Sequence, residues 1–169
     1  MDTFKYWTLG ISEPFMRLVY EAFGRALAAR QGADSFLSFL IVQPAQGEGS
    51  LMVLATDTAE EAIVTARLLA AQTGAAYYVL AYDGFVTDPG AGIPRTPAVC
   101  VEAYERSKGH GVRFGQRYMV GKDQEPIHPV GNPIYGHEIP MPSEAEYKPQ
   151  VERYESARQA AKIRENRGL

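Results

Sequence analysis

The chain has 169 residues, 46% of them hydrophobic, 22% charged and 11% aromatic, and a formal net charge of -3. That balance is the one of an ordinary globular chain, and the length suits a single domain with its own core. The one cysteine, Cys100, excludes an intramolecular disulfide and any Cys-rich zinc or iron–sulfur centre, which fits a cytoplasmic protein. No uncharged apolar run approaches the ~20 residues that span a bilayer, so no membrane partner is expected. The start, Met1 to Trp7, lacks a basic region ahead of an apolar run, so no secretory signal is expected. The mild acidity argues against nucleic-acid binding, which favours a basic surface.

Taken in order, the first signal is a helix over Ser12–Arg30. Phe15, Leu18, Val19, Ala22, Phe23, Ala26 and Leu27 form its apolar stripe. Ser12 is placed to cap it, Pro14 suits the first turn and Gly32 ends it. Ser35–Gln43 and Ser50–Ala55 read as strands joined by the turn-rich Pro44–Gly49. Thr58 and Glu61 have the spacing of a reciprocal capping box, opening a second helix that runs to about Gln72 and stops at Gly74. Ala62, Ile63, Ala66, Leu69 and Ala70 make its buried stripe. Ala75–Thr87 reads as a long strand with a bulge at Gly84, and Asp88–Pro97 as a surface loop. Ala98–Arg106 and Gly111–Val120 read as a hairpin around Ser107–His110.

The fold expected is therefore α+β in the order α-β-β-α-β-β-β. It is a mainly antiparallel sheet with both helices on one face, spanning residues 1–120. Composition changes beyond Val120: six of the eleven prolines fall at Pro126, Pro129, Pro133, Pro140, Pro142 and Pro149. Ile127, Val130, Ile134, Tyr135, Ile139 and Met141 are interleaved with them, so residues 121–149 read as an extended arm that packs on something rather than as a linker. Residues 150–169 close the chain with a polar helix, Val151–Arg167, whose apolar stripe is only Val151, Tyr154, Ala157 and Ala161.

Candidate chemistry gathers on the hairpin. Pairing Arg106 with Gly111 sets Tyr104 opposite Arg113, Glu102 opposite Gly115 and Cys100 opposite Arg117. One face, with Val99, Val101, Ala103, Val112, Phe114 and Tyr118, is core. The other carries Cys100, Glu102, Tyr104, Arg106, Arg113 and Arg117, which reads either as a solvated face with cross-strand ion pairs or as a carboxylate- or phosphate-binding surface. Asp83 with Glu102 falls short of a metal-dependent nuclease pattern, because Tyr104 stands where a lysine is wanted. Cys100 has no helix N-terminus after it to activate a thiolate toward His110, His128 or His137. His128 and His137, near Asp123 and Glu138, match no ligand spacing, so no metal or cofactor is expected. The strand aromatics Tyr77, Tyr78, Tyr82, Phe85, Tyr104, Phe114 and Tyr118 could stack bases but also suit any sheet.

Ala81–Val86, Val101–Arg106 and Gly111–Tyr118 together resemble a pattern found in small uncharacterised bacterial and phage proteins. The resemblance covers about residues 60–120 and implies a bacterial or phage origin and one α+β domain, with no activity attached. Two functional readings follow. The leading one is a non-enzymatic interaction or assembly protein, docking on a protein partner or a second copy through its C-terminal arm, with Ile134 and Tyr135 as contacts. The alternative is a small enzyme or small-ligand-binding domain that uses the Glu102, Tyr104, Arg113 and Arg117 face, with Arg106 beside it as a further binding candidate.

Overall fold

The computed structural model describes residues 10–120 and 126–166. Helix α1, Glu13–Arg30, is followed by the antiparallel strands β1, Phe39–Gln43, and β2, Ser50–Val53. Helix α2, Ala59–Thr73, leads into β3, Tyr77–Asp88, β4, Ile93–Glu105, and β5, His110–Met119. Strands β6, His128–Pro129, and β7, Ile134–Pro140, come next, then helix α3, Glu144–Asn166. The strands form one curled antiparallel sheet in the order β2-β1-β3-β4-β5-β6, with β7 also paired to β5. No helix among the described residues is long and apolar enough to cross a membrane.

The two helices expected on one face lie on opposite faces. Phe15, Val19, Ala22, Phe23 and Ala26 of α1 bury against Phe39, Ile41, Val79, Ala81, Val99, Val101, Ala103, Val112, Phe114 and Tyr118. Ala62, Ala66 and Ala70 of α2 bury against Leu40, Val42, Tyr78, Leu80 and Tyr104. Side chains alternate along a strand, so β3 divides its residues between two cores. A strand covered on both sides reads as a continuous apolar run, and Tyr77-Tyr-Val-Leu-Ala-Tyr82 is such a run.

Both helix starts depart from the expected caps. Ser12 occupies the N-cap of α1, but its hydroxyl donates to Glu105 at 3.4 Å. Thr58 accepts the Glu61 amide at 3.1 Å, whereas the Glu61 carboxylate takes Arg158 of α3 at 2.6 Å instead of returning to Thr58. A full charge from Arg158 outbids one backbone amide for that carboxylate. Gly74 ends α2 in the left-handed region, φ 67°, as glycine does at such stops.

Three strand readings are also corrected. The bulge lies between Val86 and Asp88, while Gly84 pairs in register with Ala98. The expected loop Asp88–Pro97 shrinks to a single 3-10 turn at Pro89–Ala91, capped by Asp88, because β4 starts at Ile93. The β4–β5 register is two residues from the expected one: Tyr104 faces Gly111, Glu102 faces Arg113, Cys100 faces Gly115 and Ala98 faces Arg117. A shift of two keeps every side chain on its face, so the hydrophobic pattern is blind to it. Space decides it: a Cβ at Gly111 would lie 2.4 Å from the Tyr104 ring, so that ring needs a glycine opposite.

Residues 126–149 are built into the domain over their described length. Val130 donates to the Arg117 carbonyl at 2.8 Å, Ile127 buries in the α1 core, and β7 pairs with β5 from His110 to Gly115. Residues 121–125, which include Asp123, lie outside the described residues. Helix α3 starts at Glu144, ahead of the expected Val151, with Ser143 oxygens accepting from Glu146 and Tyr147 and with Pro149 inside it.

A chain ending at Val120 lacks β6, β7 and α3, and with them the buried Ile127 and Ile139. Each such side chain contributes ~1.5–3 kcal/mol against a typical total of ~5–15 kcal/mol. The expected outcome is loss of a cooperative thermal transition by circular dichroism. A sharp transition near that of the whole chain would show that residues 1–120 fold alone.

Candidate functional site

The polar face of the hairpin closes on a single carboxylate. Glu102, in the middle of β4, is fully buried, at 0% exposure. Arg67 of α2 reaches it with two nitrogens, Nε to Oε2 at 3.0 Å and Nη2 to Oε1 at 2.6 Å. Arg113, its neighbour on β5, donates to Oε1 at 2.5 Å. The hydroxyls of Tyr82 on β3 and Tyr104 on β4 add bonds of 3.2 and 2.9 Å. Tyr147 of α3 lies against the other side of Arg67, 5.6 Å from the guanidinium carbon to the ring centre.

This geometry sets the protonation states. Burial alone would raise the Glu102 pKa, but the hydrogen bonds and charges of Arg67 and Arg113 outweigh it and hold the carboxyl below its ordinary 4.5. Burial, then the Glu102 charge, pushes both tyrosine hydroxyls far above their usual 10, so they stay donors. Cys100 sits beside this cluster, its sulfur 3.7 Å from the Phe85 carbonyl, and burial pushes its thiol up to about 11. At neutral pH that thiol is protonated and a poor nucleophile.

Of the residues expected to form a site, Glu102, Tyr104 and Arg113 therefore come together. The others do not join them. Arg106 turns away, binding the Ala75 carbonyl at 3.0 Å and the Tyr78 hydroxyl at 2.6 Å. Arg117 lies at the far end of β5, with Nη2 near Gly131. Ile134 pairs with Gly115, and Tyr135 meets Phe114 edge-on at 5.9 Å within the chain's own sheet. The face is neither solvated nor open, since α2 supplies a cation that covers it.

Two sequence signals mark further members of the cluster. Arg67 is the lone basic residue of the Ala59–Thr73 helix, within its largely apolar middle. Tyr82 shares the face of Glu102 by strand alternation, because it pairs with Cys100. Nothing local marks Tyr147.

Asp83 and Glu102 lie on opposite faces, which removes the nuclease reading of that pair. Asp83 accepts from Tyr118 at 2.9 Å and pairs with Arg30 of α1 at 3.4 Å. His128 and His137 are exposed on β6 and β7, and no group of three metal-ligating side chains occurs among the described residues. The strand aromatics do not form an open stacking platform: Tyr78, Tyr104, Phe114 and Tyr118 are buried, and exposed Phe85 carries Arg95 stacked 3.8 Å from its ring. No family model, curated protein or solved structure matches the chain.

Replacing Glu102 with glutamine removes the charge and leaves Arg67 and Arg113 uncompensated. The expected cost is ~3 kcal/mol, the low end for a broken buried pair because both arginines reach water, read by urea unfolding. A depressed folded pKa means that the unfolded chain binds the proton first. The stabilisation is thus complete above the ordinary 4.5 and is lost as pH falls below it. Glu102→Gln should flatten that acid limb, and an unchanged stability slope between about pH 5 and 3 would refute the assignment.

Proposed function

We propose that this protein works as a non-enzymatic interaction module that presents the end of α3 to an acidic protein partner. The observation that carries this reading is the reach of α3 beyond its support. The helix runs antiparallel to α2, held by Gln72 on Glu144 at 3.3 Å, Arg67 against Tyr147, and Arg158 on Glu61 at 2.6 Å. Past Arg158 every described side chain is exposed, including Ile163 at 52%. Those last two turns extend ~12 Å.

The charge supports the partner's chemistry. From Gln159 onward the sequence holds Lys162, Arg164 and Arg167 against Glu165, a surplus of two positive charges in an acidic chain. An isolated helix this polar is marginal in water, so its clamp to α2 supplies the preorganisation that a docking element needs. The Glu102 cluster supports the same reading, because its acid is consumed by internal hydrogen bonds and lacks a free lone pair for substrate.

A second reading, a small-anion site, has one observation in its favour. The Nε atom of Arg117, at the far end of β5, is buried without a hydrogen-bond partner among the described residues. Titration with inorganic phosphate, followed through the Arg117 Nε–H resonance, would shift it saturably on that reading and leave it unmoved on the first.

The leading reading is tested by a photo-crosslinking amino acid at position 163 in cells producing the full chain. One discrete protein adduct is expected there, none at exposed Glu152, and loss of the adduct in Lys162→Glu/Arg164→Glu. Equal adducts at both positions, or no effect of the charge reversal, would sink it.

A further inference from the structure

The two edges of the sheet are built differently. At the β6–β7 edge, Pro129 and Pro140 remove donors, and exposed Glu138 places a charge on the strand. Prolines and charges at an edge discourage pairing with another chain. The β2 edge has neither. Gly49 to Ala55 contains no charged residue and no proline. Leu51 and Val53 are 42% and 56% exposed, and Leu37, just ahead of β1, is 57% exposed. Among the described residues, β2 pairs with β1 alone.

The direction of the edge hydrogen bonds follows from one contact. Leu54 donates to the Ser38 carbonyl at 2.8 Å, in continuation of the register Phe39↔Val53 and Leu40↔Met52. Hydrogen-bonded and non-hydrogen-bonded pairs alternate along an antiparallel ladder. Residues 50, 52 and 54 therefore bond inward to β1. Leu51 and Val53 point their N–H and C=O groups outward, and they are also the exposed apolar side chains of the strand.

We propose that β2 pairs antiparallel with β2 of a second copy, joining two sheets across a twofold axis at Met52. Leu51 then faces the partner subunit's Val53, and Val53 faces the partner subunit's Leu51, each exchanging N–H···O bonds. Met52 lies opposite its own copy in a non-hydrogen-bonded pair. The strand is self-complementary in this register: its outward amides are satisfied, its exposed apolar side chains cover one another, and Glu48 meets Thr56 rather than a like charge. An unrelated apolar strand could use the same amides; a second copy is the occupant that fits without a like-charge contact, because Gly49–Ala55 carries no charge and Glu48 falls opposite Thr56. The inference concerns a surface other than the end of α3 and stands independently of the function proposed above.

The test is the solution mass of the full chain by light scattering across a concentration series, with two variants. Twice the mass of one chain is expected at micromolar concentration. Met52→Cys should form a reducible cross-link between copies, because a non-hydrogen-bonded pair holds its Cα atoms ~4.5 Å apart, within disulfide range; Cys100 is buried and does not compete. Val53→Pro removes an outward donor without breaking a bond inside the chain, so it should return the mass to one chain with an unchanged melting temperature. Leu51→Lys serves the same purpose if the proline variant unfolds. The full chain carrying Lys162→Glu/Arg164→Glu should remain a dimer, which separates this interface from the α3 end. A single-chain mass throughout, or a dimer that ignores both β2 variants and yields no Met52→Cys link, would overturn the proposal.

Discussion

The burial of Glu102 is the constraint around which the other elements are arranged. Taking a carboxylate out of water costs several kcal/mol, and charge pairing offsets this only when geometry and hydrogen bonding are good. Here the donors come from separate parts of the chain: Tyr82 from β3, Tyr104 from β4, Arg113 from β5 and Arg67 from α2. A carboxylate that needs all of them fixes the lateral order of three strands and the azimuth of a helix at once. Its reach extends a step further, since Arg67 presents its outer side to Tyr147 and so gives α3 its seat. The cluster therefore contributes specificity of arrangement more than net stability.

Glycines make room for that arrangement. On the Glu102 face of the sheet, a Cβ at Gly84 would lie 2.9 Å from the Cys100 sulfur, and one at Gly115 would lie 1.9 Å from Val86. With no side chain at Gly115, β3 can curl until Val86 rests against β5, two strands away. The curl closes the space beside Cys100 and helps to keep water from Glu102. Gly111 does the same for the Tyr104 ring, which must lie flat to reach the carboxylate. The hydrogen-bond geometry at the acid thus depends on three positions that make no hydrogen bond to it through a side chain.

What the sequence discloses divides by range. The helices and the strand faces are legible because periods of 3.6 and 2 are local properties: Phe15 to Ala26 bury as their spacing says, and Val99, Val101 and Ala103 share the α1 core. Register is not, because a slip of two preserves the faces and only the shapes of Gly111 and Tyr104 distinguish the alternatives. The site was half legible. Glu102, Tyr104 and Arg113 follow from alternation on one hairpin, whereas Arg67 is 35 residues away on a helix assigned to the wrong side. Once both helices are placed on one face, the polar face has nothing to cover it and reads as solvated; the long apolar run of β3 held the contrary signal.

The C-terminal segment shows the same limit of local signals. Proline there signals an irregular path, but prolines are compatible with strands when they stand at an edge, where a missing N–H breaks no ladder bond. Pro129 and Pro140 fall at such places on β6 and β7, so a composition that looks like an arm can still add strands to a sheet. One edge of the sheet is thereby extended and armed with residues that stop further pairing. The opposite edge ends in Ser50-Leu-Met-Val53, with outward amides and no such guard. A single sheet with one guarded edge and one open edge has a direction, and it is the open edge that association would use.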